Sequence, residues 1–129
     1  MGEVDQLREK LRDFARRRDW EQFHSPKNLA TALIVEAAEL VEHFQWLTEQ
    51  QSRQIDDGVR QEVAMEMADV FIYLLRLADQ LDVDLLQAAH DKMAINEKRY
   101  PVELSRGKSG RPQLQDNASG NSPTDTQDN

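Results

Sequence analysis

Two stretches of sequence, ATALIVEAAELVEHFQW at residues 30–46 and VAMEMADVFIYLLRLAD at residues 63–79, decide the fold of this chain. In both, apolar residues recur at the three- and four-residue spacing of a helix that buries one face. Each stretch also carries two acids three residues apart, which a helix places on one face. The acidic pairs are Glu36 with Glu39 in the first stretch and Glu66 with Asp69 in the second. Carboxylates in an apolar setting are costly unless a cation neutralises them, so these pairs mark the first candidate site.

The hydrophobic periodicity predicts an all-α chain with four main helices and no competing strand pattern. The predicted helices cover residues 3–18, 26–48, 57–80 and a fourth segment from Asp82 or Asp84 to Arg99. Pro26 suits the first turn of the second helix, and Pro101 ends the fourth. We expect a four-helix bundle whose small core is completed by oligomerisation.

The composition of the chain changes sharply near residue 104. Residues 1–103 carry the helical pattern and are predicted to form one domain. Residues 104–129 are rich in Ser, Gly, Asn, Asp, Pro and Gln, which favours a disordered polar tail.

Charge and cysteine content exclude several classes of function. The 129 residues carry a formal net charge of -8, which disfavours binding to a nucleic acid polymer. The chain has no cysteine, so disulfides, thiol nucleophiles and zinc–thiolate sites are excluded, and a reducing, cytoplasmic location is predicted. No apolar run is long enough to span a membrane, and the charged N-terminus does not match a signal peptide.

Both acidic pairs are predicted to lie at the same height in the hairpin of the second and third helices. The midpoint of each pair lies about ten residues, or roughly 15 Å, from the connection between them. One acidic pair alone is more often a solvated surface feature, but two at one height favour a shared site. All-carboxylate ligands favour Mg²⁺, with Mn²⁺ as a substitute, and phosphoryl chemistry. A di-iron site is disfavoured because the one Glu-x-x-His, Glu21 with His24, lies in a predicted loop.

Around these acids the sequence resembles the MazG-like all-α nucleotide pyrophosphohydrolase superfamily, and within it the dCTP pyrophosphatase branch. The family signature is ExxE followed by ExxD on the next helix. The resemblance covers residues 4–106 and is carried by RDWEQFHSPKNL at 18–29, EAAELVEHFQW at 36–46, EMADVFIYLLRLAD at 66–79 and KMAINEKRYP at 92–101.

The resemblance implies an Mg²⁺-dependent enzyme that converts dCTP, or modified dCTP, and water to dCMP and pyrophosphate, and so sanitises the nucleotide pool. It implies that Glu36, Glu39, Glu66 and Asp69 bind the metal and act in catalysis. Substrate contacts are implied for Trp20, His24, Trp46, Tyr73, Lys92, Asn96 and Arg99. A homodimer or homotetramer with sites near its subunit interfaces is also implied.

Two alternatives to the dCTP assignment stay open. Leu11 stands where some relatives of this branch have a histidine, which leaves room for a broader (d)NTP pyrophosphohydrolase. The other alternative is a non-catalytic helical interaction module, against which the four acids at one height argue. His43 and His90 replace apolar residues of the family pattern, and no function is carried over to them.

Overall fold

Six α-helices and one 3-10 turn form the regular structure of residues 1–110, the part of the chain that the computed structural model describes. The helices are α1 (Glu3–Arg17), α2 (Pro26–Glu42), α3 (Glu49–Ser52), α4 (Asp57–Gln80), α5 (Leu85–Arg99) and α6 (Val102–Ser105), and the 3-10 turn is Glu21–Phe23. No strand occurs among these residues, so the all-α prediction is confirmed.

Short polar side chains cap the N-termini of the two central helices, α2 and α4. Ser25 accepts a hydrogen bond from the backbone N–H of Asn28 at 3.2 Å, and Pro26 follows at the first helical position of α2. Asp56 accepts from the backbone N–H of Val59 at 2.9 Å at the start of α4. These caps satisfy backbone donors that have no partner within the first turn of a helix.

The same backbone motif ends α1 and α4. Asp19 and Asp82 both have φ of 54°, the left-handed conformation that closes a helix and that aspartate tolerates better than most residues. The N–H of Trp20 then donates to the carbonyl of Ala15 at 2.9 Å, which is the long hydrogen bond of a Schellman motif. This turn fixes Trp20 against the end of α1. Asp82 therefore ends α4, whereas Asp84 caps α5 through the N–H of Gln87 at 3.0 Å.

The predicted end of the second helix was wrong by six residues. It was placed at residue 48, whereas α2 ends at Glu42 and the chain continues through hydrogen-bonded turns. Thr48, the predicted last residue, has an extended backbone, and its side chain forms a capping box with Gln51 at the start of α3. A residue that caps the next helix cannot continue the previous one.

The most extensive helix contact joins α2 and α4, and α1 packs against α4. Among residues 1–110 the buried apolar side chains are few: Ala15, Leu29, Val63, Leu75 and Ala78. Arg76 is buried with them, at 3% exposure. The hairpin of α2 and α4 therefore brings the two acidic stretches together, and it does so around a small core.

The described residues divide into two compact units, Met1–His90 and a second that begins at Asp91 within α5. The α6 helix takes in the first two residues of the predicted tail, Leu104 and Ser105. Residues 111–129 lie outside the described part, so the predicted division into 1–103 and 104–129 stays a prediction. Among the described helices, none combines the length and the apolar character that a membrane span requires.

Candidate functional site

Three of the four predicted acids converge between α2 and α4. Glu36, Glu39 and Glu66 each offer a carboxylate oxygen, and these oxygens lie within 4.8 Å of one another. All three side chains are half-buried. The convergence follows from the i, i+3 spacing on α2 and from the packing of that face against α4. This set of oxygens is arranged so that it could hold a metal ion.

The electrostatics of the acidic cluster also fit a cation. Burial, then a hydrogen bond with Glu39 and the charges of Glu39, Asp69 and Glu66, together raise the pKa of Glu36 to about 7. Burial, and then interaction with Glu39, also raises the pKa of Glu66. Oε2 of Glu36 and Oε2 of Glu66 are enclosed without a hydrogen-bond partner among the described residues. A hard cation would satisfy these oxygens and relieve the repulsion between the carboxylates.

Asp69 lies beside the cluster rather than within its innermost group. Its side chain is exposed, and it is not one of the three whose oxygens lie within 4.8 Å of one another. Its charge nevertheless raises the pKa of both Glu36 and Glu66. Asp69 also lines a neighbouring cavity, so it connects the acids with the space beside them.

His43 is a neighbour of the acids to which the sequence analysis gave no role. Its Nε2 lies 3.9 Å from Oε1 of Glu66, and its Nδ1 lies 3.8 Å from Oε2 of Glu62. A protonated His43 would offset part of the negative charge at this edge of the cluster. The signal was present in the sequence, because His43 follows Glu39 by four residues and so shares its side of the chain.

A cavity of about 450 Å³ opens beside Asp69, between α1, the loop after it and α4. Trp20, His24 and Tyr73, three of the predicted substrate contacts, line it. The rings of Trp20 and His24 meet edge to face, with their centroids 6.4 Å apart. The wall is mostly apolar and includes Leu11. An aromatic, largely apolar cavity with a few polar groups suits a flat heterocyclic ligand.

Arg76 is a second residue that the sequence analysis did not single out. It lines the same cavity, and its guanidinium lies 3.3 Å from Oδ2 of Asp79 and 3.3 Å from Nδ1 of His24. Arg12 of α1 binds both oxygens of Asp79 as well. The sequence indicated this position, because Arg76 interrupts the apolar run VFIYLLRLAD. It follows Asp69 by seven residues and Tyr73 by three, so a helix places all three side chains on one face.

The other predicted substrate contacts do not line this cavity. Trp46 lies in the turns after α2 and is 87% exposed. Lys92, Asn96 and Arg99 lie on α5 beyond His90, in the second compact unit. Their predicted contacts with a nucleotide stay predictions.

Comparisons with known proteins agree with the family resemblance. A model of the MazG-like family matches residues 32–110, more than half of the chain. The chain is 46% identical over 106 residues to dCTP pyrophosphatase 1 of Mus musculus, covering 81% of this chain and 62% of that protein. It is 44% identical over 108 residues to dCTP pyrophosphatase 1 of Homo sapiens, covering 82% of this chain and 64% of that protein.

A solved structure gives the same result for the fold. A pyrophosphatase from Archaeoglobus fulgidus superposes with a TM-score of 0.74 at 38% sequence identity, over 78% of this chain and 94% of that one. The chain spans less than two thirds of the length of the curated mammalian relatives. With its all-helical fold, its paired acids on α2 and α4 and these matches, the chain belongs to the MazG-like family.

Proposed function

We propose that this protein is a nucleoside triphosphate pyrophosphohydrolase that converts dCTP, or modified dCTP, and water to dCMP and pyrophosphate. The observation that carries the proposal is the half-buried cluster of Glu36, Glu39 and Glu66 next to an aromatic cavity that Asp69 also lines. The cluster suits a charged phosphate chain with its cation, and the cavity suits the base. The similarity to dCTP pyrophosphatase 1 supports cytosine as that base.

The cofactor of the proposed reaction is Mg²⁺, with Mn²⁺ as a substitute. Glu36, Glu39 and Glu66 would hold it together with Asp69, because hard divalent cations prefer carboxylate oxygens. When bound, the cation neutralises phosphate charge and lowers the pKa of water.

The side chains around the cation have separate tasks in the proposed reaction. Glu36 or Glu39 orients the attacking water and takes its proton as the bond to the α-phosphorus forms and pyrophosphate leaves. Trp20 and Tyr73 contact the base and sugar, and His24 donates a hydrogen bond within the same cavity. The remaining proposed contacts are Trp46 with the base and Lys92, Asn96 and Arg99 with the phosphates.

A broader (d)NTP pyrophosphohydrolase is the second candidate function. Leu11 favours it, because an apolar side chain in the wall of the cavity gives no hydrogen bond that would select one base. A panel of substrates therefore decides between the two candidates.

The deciding experiment measures pyrophosphate release from the four dNTPs, 5-methyl-dCTP and the four NTPs, with Mg²⁺, with Mn²⁺ and after chelation. We expect hydrolysis of dCTP and 5-methyl-dCTP that requires the divalent cation. Equal rates on all bases would favour the broader enzyme. Full activity after chelation, or a preference for purines, would contradict the proposed mechanism or substrate.

The protein is further proposed to act as a homodimer or homotetramer in the cytoplasm. Large apolar side chains on α2 and α4 support the oligomer: Ile34 is 66% exposed, Met65 is 66% exposed and Met67 is 57% exposed. A second copy of the chain packed on these faces would remove them from water.

A further inference from the structure

Arg76 is a buried charge in the wall of the proposed base cavity, and the proposed reaction gives it no task. It is 3% exposed and lines the cavity with Trp20, His24 and Tyr73. Burying a guanidinium is costly unless its charge is balanced and its N–H groups are satisfied. Asp79 balances the charge, but Nε of Arg76 is enclosed and has no hydrogen-bond partner among the described residues. Arg76, a residue of the cavity wall, thus has an N–H donor that no described residue satisfies.

The contact between Arg76 and His24 determines which ring nitrogen of His24 carries the proton. A guanidinium can only donate, so Nδ1 of His24, 3.3 Å away, must accept. Burial, and then the charge of Arg76, lowers the pKa of His24, which keeps the ring neutral. The single ring proton therefore lies on Nε2, so His24 can donate a hydrogen bond from Nε2 to a ligand.

Arg76 and His24 both line the cavity and are in contact with each other, so two hydrogen-bond donors lie side by side in its wall. Cytosine presents two adjacent acceptors, N3 and O2, on its pairing edge. Thymine and uracil keep O2 but carry a hydrogen on N3, so that a donor would face a donor there. A site built from buried donors rejects such an analogue, because the mismatch leaves polar groups unpaired.

We propose that Arg76, with the His24 tautomer that it fixes, selects cytosine over thymine and uracil by donating hydrogen bonds to the N3 and O2 edge of the base. The inference rests on the proposed function, because it assigns the cavity to the base of the substrate. It assigns a specificity-determining role to Arg76, and to His24 the role of a donor through Nε2.

The test compares kcat/KM for dCTP and dTTP in the full-length protein with Mg²⁺. We expect the wild type to prefer dCTP. Arg76→Gln should reduce that preference about tenfold or more, because an amide can turn its carbonyl to accept from N3–H of thymine. Arg76→Lys, which keeps a donor-only cation, should retain the preference. A wild type without preference, or an unchanged preference in Arg76→Gln, would overturn the inference.

Arg12→Gln is the matched control for this comparison. It also removes an arginine partner of Asp79, but Arg12 is half-exposed and does not line the cavity. We expect its dCTP-to-dTTP ratio to equal that of the wild type. If Arg12→Gln shifts the ratio as far as Arg76→Gln does, the effect comes from the ion pair and not from base recognition, and the inference fails.

Two measurements on the wild type decide the inference without relying on a folded variant or on turnover. Nitrogen-15 NMR of the histidine ring should show His24 protonated at Nε2, and protonation at Nδ1 would overturn the inference. Calorimetric titration with dCMP and dTMP should show tighter binding of dCMP, and equal binding would overturn it. Absence of dCTP hydrolysis with a retained preference for dCMP would refute the proposed reaction and leave the base recognition standing.

Discussion

At the scale of single residues, the ionisation of Glu36 depends on the fold. Its pKa is about 7 in the folded chain, against 4.5 for an unperturbed glutamate. Burial is the first cause, and the nearby acids add to it. Between these two pH values, the metal-free folded chain holds a proton that the unfolded chain has released. This contribution to stability is therefore fully present below pH 4.5 and is lost as the pH rises through 7.

The first prediction compares wild type and Glu36→Gln in urea denaturation after chelation of metals. The free energy of unfolding of the wild type, relative to the variant, should fall as the pH rises from 4.5 to 7. The lowered pKa of His24 makes the free energy of unfolding change with pH in the opposite direction. His24 is present in both proteins, so its contribution cancels in the difference between wild type and variant. A difference that is constant with pH would show that Glu36 titrates normally.

The second prediction concerns Glu39, which interacts with both Glu36 and Glu66. Glu39→Gln keeps the shape of the side chain but removes a charge from the proposed metal ligands. We expect kcat for pyrophosphate release from dCTP to fall about 100-fold or more and Mg²⁺ affinity to drop in calorimetry. Glu42→Gln, an exposed position on the same helix and outside the cluster, is the control and should keep full turnover. Full turnover in Glu39→Gln would show that the cluster is not the site.

At the scale of helices, Asp79 joins α1 to α4. Arg12 of α1 binds both of its oxygens, and Arg76 of α4 approaches from the buried side. The hydrogen bond from Arg12 is the largest cause that lowers the pKa of Asp79. The stabilisation from Asp79 is therefore present above the pKa of a free aspartate and is lost as the pH falls through its folded pKa.

The third prediction follows from the unequal exposure of the two arginines. Asp79→Asn should lower the free energy of unfolding by about 3 kcal/mol, because Arg76 then stays buried without a counter-charge. Arg12→Ala should cost about 1 kcal/mol or less, because the Arg12 side chain is 50% exposed and screened by water. Urea denaturation at neutral pH measures both. Equal losses would contradict a buried ion pair at Arg76.

The helices also show which local signals the sequence carried. The predicted 57–80 helix matches α4 at both ends, because Asp56 caps its start and the Schellman turn at Asp82 closes it. The predicted second helix was too long because it included Thr48, which in the structure caps α3 through its capping box with Gln51. The predicted distance of Glu36 and Glu39 from the connection was therefore counted from the wrong end of the second helix. The acids still meet, since hydrogen-bonded turns carry the chain beyond Glu42.

At the scale of the whole molecule, the chain buries few large apolar side chains in its described part. Leu29 is 1% exposed and Leu75 is 2% exposed, but Ile34 and Met65 are 66% exposed and Trp46 is 87% exposed. Exposed apolar faces of this extent are typical of surfaces that another subunit covers.

The fourth prediction is that the protein sediments as a dimer or tetramer in analytical ultracentrifugation. Ile34→Glu places a charge on the exposed apolar face of α2 and should shift the protein towards the monomer. Gln50→Glu, an exposed change of the same charge on α3, should leave the assembly intact. A monomeric wild type, or an intact assembly in Ile34→Glu, would contradict the proposed interface.

The sequence by itself determined the all-α class, the start of each main helix to within a few residues and the acidic faces of α2 and α4. These features depend on spacing along the chain and on caps within a few residues, which are local interactions. Only the tertiary structure decided that three acids form the innermost group, that Asp69 borders the cavity and that Arg76 reaches His24 across 52 residues. Such contacts, and the pKa shifts that burial causes, depend on which helices pack together, and no local pattern encodes that.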